Sequence, residues 1–371
     1  MRTTRAIIHL DKFTRNMEAV RKRAGAHPKI CVPVKADAYG HGAVEIARCA
    51  LEAGAAYLAV ATVDEGAELR SAGINAPILL LSQTPPEELQ DIVSLDLIPL
   101  VSDGDYIEEA ERAAEQAQKR LTLHLKVDTG MGRMGCRPEE AVALASKIAS
   151  ANRLELGGIA THLSTSDSLM LGDMAFTKEQ LGSFRDVIAS LKKAKIETGL
   201  VHAANSGALV FHEESYFDMI RPGIFLYGYS PAAAVRGGLQ AEPVMELLST
   251  VSLIKEIKKD EAVSYGRTWI APEDTLIGLI SVGYGDGLPR LLSNNHAVQI
   301  RGKAYPLVGR ICMDQCMVNL GKETEVQRWD EALIFGPGFT TAAGIAQKLK
   351  TIPYEITCNI NKRVPREYKR S

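Results

Sequence analysis

The sequence has no long hydrophobic run. No stretch approaches the roughly 20 apolar residues of a membrane span, and the apolar part of MRTTRAIIHLDKFTRN at the N-terminus is far too short for a secretory core. A cytoplasmic protein with no membrane partner is the expectation. Blocks of like charge are missing as well. With 43 Lys+Arg against 45 Asp+Glu and a formal net charge of −2, nothing marks a nucleic-acid or membrane-surface partner, and small-molecule chemistry is the default. None of the six cysteines, Cys31, Cys49, Cys136, Cys312, Cys316 and Cys358, forms a C-x-x-C pair. Neither a metal site nor a disulfide framework is indicated, and the cysteines read as reduced thiols. What is present is an ordinary globular composition, 371 residues of which 46% are hydrophobic, enough for two domains and a sizeable core.

Short apolar runs alternate with amphipathic segments over the first two thirds of the chain. The runs are Ile30 to Val34, Tyr57 to Ala61, Ile78 to Leu81, Leu97 to Val101, Leu121 to Val127, Leu156 to Thr161, Leu200 to Ala203 and Met219 to Leu226. Helical spacing falls at Asp11 to Arg23, with Asp11 as N-cap, and at Val44 to Ala53, Val63 to Ser71, Tyr106 to Lys119, Pro138 to Ser150 and Thr177 to Ala194. Eight β-α units of this kind fit an α/β fold, a closed (β/α)8 TIM-type barrel, with an open doubly wound sheet as the alternative. After Gly228 the stretch YSPAAAVRGGLQAEP reads as a connector. Beyond it Val244 to Lys258, Thr275 to Val282, Ala297 to Arg301, Met317 to Leu320 and Ala332 to Phe335 read as a second, mostly β domain. The expected division is 1–235 and 236–371, with residues 1–10 as candidates to pair with the C-terminal domain.

In such a barrel chemistry sits at the C-terminal ends of the strands. The first run ends at Lys35, in KICVPVKADAYGHG, with Tyr39 close behind. Lys35 is either a surface residue closing a strand or an amine at a pocket mouth able to form a Schiff base with a carbonyl cofactor. The fifth run leads to Lys126, Asp128 and Arg133, the sixth to His162, the seventh to Asn205 and Ser206, and the eighth to Arg221, Gly223 and Ile224. A lone histidine is commonly structural and a Ser-Gly pair is commonly a helix cap, but a closed barrel would aim all of these into one mouth. Asn205, Ser206, Gly223 and Ile224 occupy the loops where such barrels hold a phosphate. Gly130 to Gly135 reads GMGRMG, a formal dinucleotide fingerprint that would suggest NAD. Arg133 in the turn, a helix starting only at Pro138 and the unit's fifth place in the series argue against it. Pro33 inside the first run cannot donate to a ladder, so a bulge that aims Lys35 is expected there.

VKADAYGHG resembles the cofactor-lysine motif of alanine racemases, and KVDTGMGRMG (Lys126 to Gly135), AVSYGRTW (Ala262 to Trp269) and GRICMDQCMV (Gly309 to Val318) resemble other segments of that family. The resemblance extends over essentially the whole chain. It implies pyridoxal 5'-phosphate (PLP) on Lys35, racemisation of alanine, and D-alanine supply for peptidoglycan. It also implies a homodimer in which Tyr265 enters the other subunit's active site. By the same resemblance Lys35 and Tyr265 are the two catalytic bases, on the D-alanine and L-alanine sides. Arg221 faces the pyridine nitrogen with His162 as its hydrogen-bond partner, Tyr39 lines the cofactor site and Tyr354 lies at the phosphate. Arg133 contacts the substrate carboxylate, Cys312, Met313 and Asp314 belong to the substrate-binding segment, Tyr284 lies near the entrance, and Lys126 is a carbamylation candidate. A broader serine or lysine racemase, a PLP-dependent decarboxylase of similar barrel-plus-β architecture, which Tyr265 and GMGRMG fit less well, and a non-catalytic PLP-binding protein are the competing readings; the last would leave the second domain unexplained.

Overall fold

The eight apolar runs become eight parallel strands because each is short, rich in buried aliphatic residues and followed by a segment with helical spacing. In the computed structural model, which describes residues 3–230 and 239–370, the strands are β2 (Lys29–Pro33), β3 (Tyr57–Val60), β4 (Ile78–Leu80), β5 (Leu97–Val101), β6 (Leu121–Lys126), β7 (Leu154–Ala160), β8 (Leu200–His202) and β9 (Met219–Ile220). They close in sequence order, β9 pairing back onto β2. The barrel is therefore the expected one, and the open-sheet alternative fails at that last pairing. Its interior is filled by side chains: Cys31, Ala59, Leu79 and Met219 form a fully buried cluster with Tyr57, Leu81, Ile98 and Leu200 packed against it.

Two local expectations are corrected. The register of β2 on β3 runs unbroken from Cys31↔Tyr57 to Pro33↔Ala59, so Pro33 makes no bulge; it closes the strand, where a missing N–H costs nothing. The bulge lies instead in β7, where the pairing with β6 passes from Leu123↔Leu156 to His124↔Gly158 and leaves Gly157 over. Helix α1 (Leu10–Ala24) begins at Leu10, which puts Asp11 in its first turn rather than at the cap.

The helix α2 (Lys35–Gly40) follows β2 directly, then α3 (Ala43–Glu52), α4 (Val63–Ser71), α5 (Leu89–Ser94), α6 (Gly104–Gln116), α7 (Ala141–Ser150), α8 (Leu171–Lys193) and α9 (Ser206–Phe211). Three of these starts, those of α4, α6 and α9, are fixed by side chains. Thr62 and Glu65 form a capping box on α4, and the Asp103 carboxylate accepts the Tyr106 N–H of α6 at 2.8 Å.

By its contacts the chain divides into Phe13–Ala38 with Ala43–Glu242, which holds the barrel, and Met1–Lys12 with Tyr39–Gly42 and Pro243–Ser371. The expected boundary at residue 235 lies outside the described residues. In the second unit β10 (Met245–Ile257) is the long central strand: β1 (Arg5–His9), β13 (Thr275–Ile280) and β17 (Glu331–Phe335) all pair with it. β14 (Ala297–Ile300), β15 (Lys303–Pro306), β16 (Cys316–Gly321) and β18 (Arg366–Lys369) complete that sheet, while β11 (Ala262–Val263) and β12 (Trp269–Ile270) form a small hairpin. Two short helices, α10 (Ala342–Leu349) and α11 (Pro353–Cys358), were not legible as helical spacing. Among the described residues no helix is long and apolar enough to cross a membrane.

Candidate active site

The mouth of the barrel is organised around a buried cation. Arg221 follows β9 and donates from Nη1 to His202 Nδ1 at 2.6 Å, and from Nη2 to the carbonyls of Thr161 at 2.9 Å and Ala203 at 3.2 Å. The expected partner, His162, is reached only at 3.5 Å, a marginal bond. The principal partner is thus His202, a residue the sequence did not single out. An arginine only donates, so His202 Nδ1 must accept, and its proton sits on Nε2, 2.8 Å from His124 Nδ1. The proton of His124 is then on its own Nε2. Both rings are neutral: burial and then the Arg221 charge push His124 down to about 3 and His202 well below the usual histidine value. Burial lowers Arg221 itself to about 10, which still leaves it protonated at neutral pH.

This chain of side chains crosses β7, which lies between β6 and β8. It can do so because β7 has Gly158 there: a Cβ at that position would come within 2.6 Å of the His124 ring. The bulge at Gly157 and the missing side chain at Gly158 are one device.

Lys126 ends β6 and is buried. Burial, then Arg221 and Arg133, hold its amine well below the usual lysine value against the opposing charge of Asp128. His162 is likewise held neutral, first by burial and then by Arg221, Lys126, Arg133 and Lys35. The charges of Arg221, Arg133 and Lys35 all act on this ring, which makes the mouth electropositive and suited to an anionic ligand.

The loop from Val127 to Cys136 explains its glycines without a dinucleotide. The Asp128 carboxylate accepts the N–H groups of Gly130 at 2.9 Å, Gly132 at 3.1 Å and Arg133 at 3.2 Å. Burial alone would raise Asp128, but these bonds together hold it below the usual carboxylate range. The amides a pyrophosphate would need are turned onto the loop's own aspartate, and the NAD reading is discarded.

The presumed phosphate residues also have internal work. Asn205 caps α9, its Oδ1 accepting from the Ala208 N–H at 3.0 Å and the Ser166 hydroxyl at 2.7 Å, while its Nδ2 donates to the Leu163 carbonyl at 3.0 Å. Ser206 Oγ accepts the N–H groups of Gly223 at 2.9 Å and Phe225 at 3.3 Å, which draws the segment holding Ile224 against the start of α9. Tyr227 then fastens that segment to the end of β2, its hydroxyl donating to the Pro33 carbonyl at 2.7 Å.

Lys35 begins α2, whose Ala36, Asp37, Ala38 and Tyr39 all have φ of 52°. The turn is left-handed and contains no glycine until Gly40. Each such residue costs about 1–2 kcal/mol relative to a right-handed turn, strain of a kind that persists where the surroundings over-determine the backbone.

In the second unit the candidate residues share one scaffold. Tyr265 is 70% exposed on a turn where Ser264 has φ 68° and ψ −177° and Arg267 has φ 49°. The Ser264 hydroxyl donates to the Arg310 carbonyl at 2.6 Å. Tyr284 and Gly285 donate their N–H groups to the Cys312 and Met313 carbonyls at 3.0 and 2.8 Å. Arg363 braces the same region, pairing with the fully buried Asp286 at 2.8 Å and with Asp314 at 2.9 Å. Trans peptides point the N–H groups of Met313 and Asp314 away from the Tyr284 turn. Tyr39 and Tyr354 pack edge to face with ring centroids 5.4 Å apart. Among the described residues no cluster of His, Cys, Asp and Glu could hold a metal, and none of the six cysteines is in a disulfide.

The residues fit PLP on two counts: a buried guanidinium whose described partners are imidazoles and carbonyls rather than a carboxylate, and cations converging near a lysine at a strand end. Comparison with known proteins agrees. The sequence profile described as "Alanine racemase, N-terminal domain" matches residues 8–231, and "Alanine racemase, C-terminal domain" matches residues 244–368. An alanine racemase of Treponema denticola is 50% identical over 99% of this chain and 98% of its own length. The alanine racemase of Clostridium difficile 630 superposes with a TM-score of 0.95 at 34% identity, covering 100% of this chain and 96% of that one. The structure of the alanine racemase from D-cycloserine producing Streptomyces lavendulae superposes with a TM-score of 0.92 at 36% identity, covering 100% and 98%.

Proposed function

The chain belongs to the alanine racemase family, PLP-dependent isomerases that interconvert L- and D-alanine, and from that premise we propose how its own residues carry the reaction. Lys35 would hold PLP, with Tyr39 beside it, Arg221 and His162 toward the ring nitrogen, and Asn205, Ser206, Gly223, Ile224 and Tyr354 toward the phosphate. When bound, the cofactor supplies an electron-withdrawing ring that makes the substrate Cα proton acidic enough for a lysine or tyrosine to remove.

Two bases are required, one per face of Cα. Lys35 serves the D-alanine side and Tyr265 the L-alanine side, one removing the proton and the other returning one to the opposite face. Arg221 is the observation that carries the reading. A buried cation that stays protonated at neutral pH would donate to the cofactor's ring nitrogen and would keep that nitrogen unprotonated. Arg133 binds the substrate carboxylate, assisted by the segment Cys312, Met313 and Asp314, with Tyr284 at the entrance. The exposure of Tyr265 on its strained turn supports a homodimer in which each Tyr265 serves the other copy's barrel. A cytoplasmic location and D-alanine supply for peptidoglycan complete the proposal.

The test is circular dichroism of L-alanine incubated with PLP-loaded protein, run beside Tyr265→Phe. Decay to zero in the parent and a loss of about 100-fold or more in the variant, with PLP still reducible onto Lys35 by borohydride, are expected. A Tyr265→Phe enzyme at parental rate would remove Tyr265 from the mechanism. L-serine and L-lysine run in parallel test the broader racemase.

A further inference from the structure

Lys35 stands at the head of a left-handed turn, and the turn has to be pinned at that end. The first N–H beyond the lysine, that of Ala36, donates to Glu65 Oε1 at 2.6 Å. The other oxygen of the same carboxylate, Oε2, accepts the N–H of Ala61 at 2.7 Å and of Thr62 at 3.4 Å. One carboxylate thus joins the chain just after β2 to the chain just after β3. A helix cap needs only the Thr62 bond, which completes the capping box with the Glu65 N–H on Thr62 Oγ1 at 3.3 Å. The bonds to Ala36 and Ala61 are additional, and they are the shorter ones.

We propose that Glu65 is a positioning residue for Lys35: its carboxylate fixes the peptide that follows the reactive lysine and so sets the direction in which the Nζ enters the barrel mouth. The proposal rests on Lys35 being the reactive amine. Three backbone donors approach the carboxylate, one at Oε1 and two at Oε2, so both oxygens are needed. A glutamine cannot substitute, because one end of its amide carries N–H groups and would face backbone N–H whichever way it lies.

This gives a matched pair of variants. Thr62→Ala removes the hydroxyl half of the capping box and weakens α4 without touching Ala36. Glu65→Gln disturbs the same cap and also loosens Ala36. Hydrogen–deuterium exchange of the full-length chain, read on peptides covering residues 35–40 with and without PLP, should be about 10-fold faster at Ala36 in Glu65→Gln and unchanged in Thr62→Ala. The kcat for alanine should fall about 10- to 100-fold in Glu65→Gln with KM within about twofold, while Thr62→Ala keeps both. Glu65→Asp, which retains the charge but is one methylene short, should show the same split in milder form and serves if the glutamine variant does not fold. Equal kcat losses in the Thr62 and Glu65 variants, or parental exchange at Ala36 in the Glu65 variants, would overturn the proposal. Lys35→Ala separates the two ideas: retained racemisation there would sink the reading of Lys35, whereas exchange at Ala36 decides the anchor without any turnover.

Discussion

Single residues in the barrel mouth are decided by desolvation. Lys126 is the clearest case, a lysine whose amine burial and two arginines hold well below the usual lysine value, so that its uncharged form is favoured. A neutral amine can attack carbon dioxide, forming an N–C bond and releasing one proton, and the resulting carbamate would turn a like-charge neighbour of Arg133 into a counter-anion. Intact mass measured under gentle, bicarbonate-containing conditions should therefore show an increment of one carbon dioxide, absent in Lys126→Ala. Activity should fall when carbon dioxide is stripped from the buffer. An unshifted mass together with activity indifferent to carbon dioxide would leave Lys126 as a plain amine. Asp128 shows the opposite balance, since backbone donors outweigh burial and keep it ionised.

At the scale of elements, the bulge expected at Pro33 of β2 lies instead in β7, where it serves a different purpose. This bulge and Gly158 let the His124–His202 bond pass between β6 and β8, and so fix the ring that holds Arg221. Gly158→Ala should drive the His124 ring away and destabilise the fold by about 1–3 kcal/mol, the usual range for overpacking. It should also lower kcat through Arg221. Urea unfolding and imidazole nitrogen NMR would read the two effects separately, and parental stability with an unaltered hydrogen-bonded N–H signal would contradict the argument. In the second unit the turns at Tyr284 and Met313 are likewise one element, bound through paired backbone bonds and the Asp286–Arg363 ion pair.

The whole molecule should be acid-labile. Burial holds His296 down to about 4, with Lys348 adding to the shift and its bond to the Ile334 carbonyl opposing it, and burial with Arg221 holds His124 down to about 3. These folded values lie below the unfolded value of 6.5, so below pH 6.5 the unfolded chain takes up protons that the folded chain refuses. Stability is complete above that pH and is lost as pH falls, by an amount on the order of 3 kcal/mol for His296 alone. The urea midpoint should drop between about pH 7.5 and about pH 5, and His296→Gln should flatten the drop. A pH slope identical in parent and variant would show that His296 contributes nothing to it.

The sequence by itself determined the eight barrel strands, most of the large helices, the β-rich second part and the placing of reactive residue types after particular strands. Those features follow from spacing within ten or so residues, where a period of two or of 3.6 and a nearby turn signal suffice. The motifs around Lys35, Arg133, Tyr265 and Met313 were legible through the family resemblance, which each carries because it is contiguous. Only the tertiary structure decided that Arg221 is held chiefly by His202 rather than His162, that His124 completes the chain, and that the glycines of GMGRMG serve Asp128. It also decided that the bulge lies at Gly157 and that Glu65 reaches Ala36. His124, His202 and Arg221 are separated by 78 and 19 residues, and Glu65 by 29 from Ala36. No local period encodes those distances; they arise when β9 meets β2 and closure brings the strand ends to one mouth, where burial sets their charge.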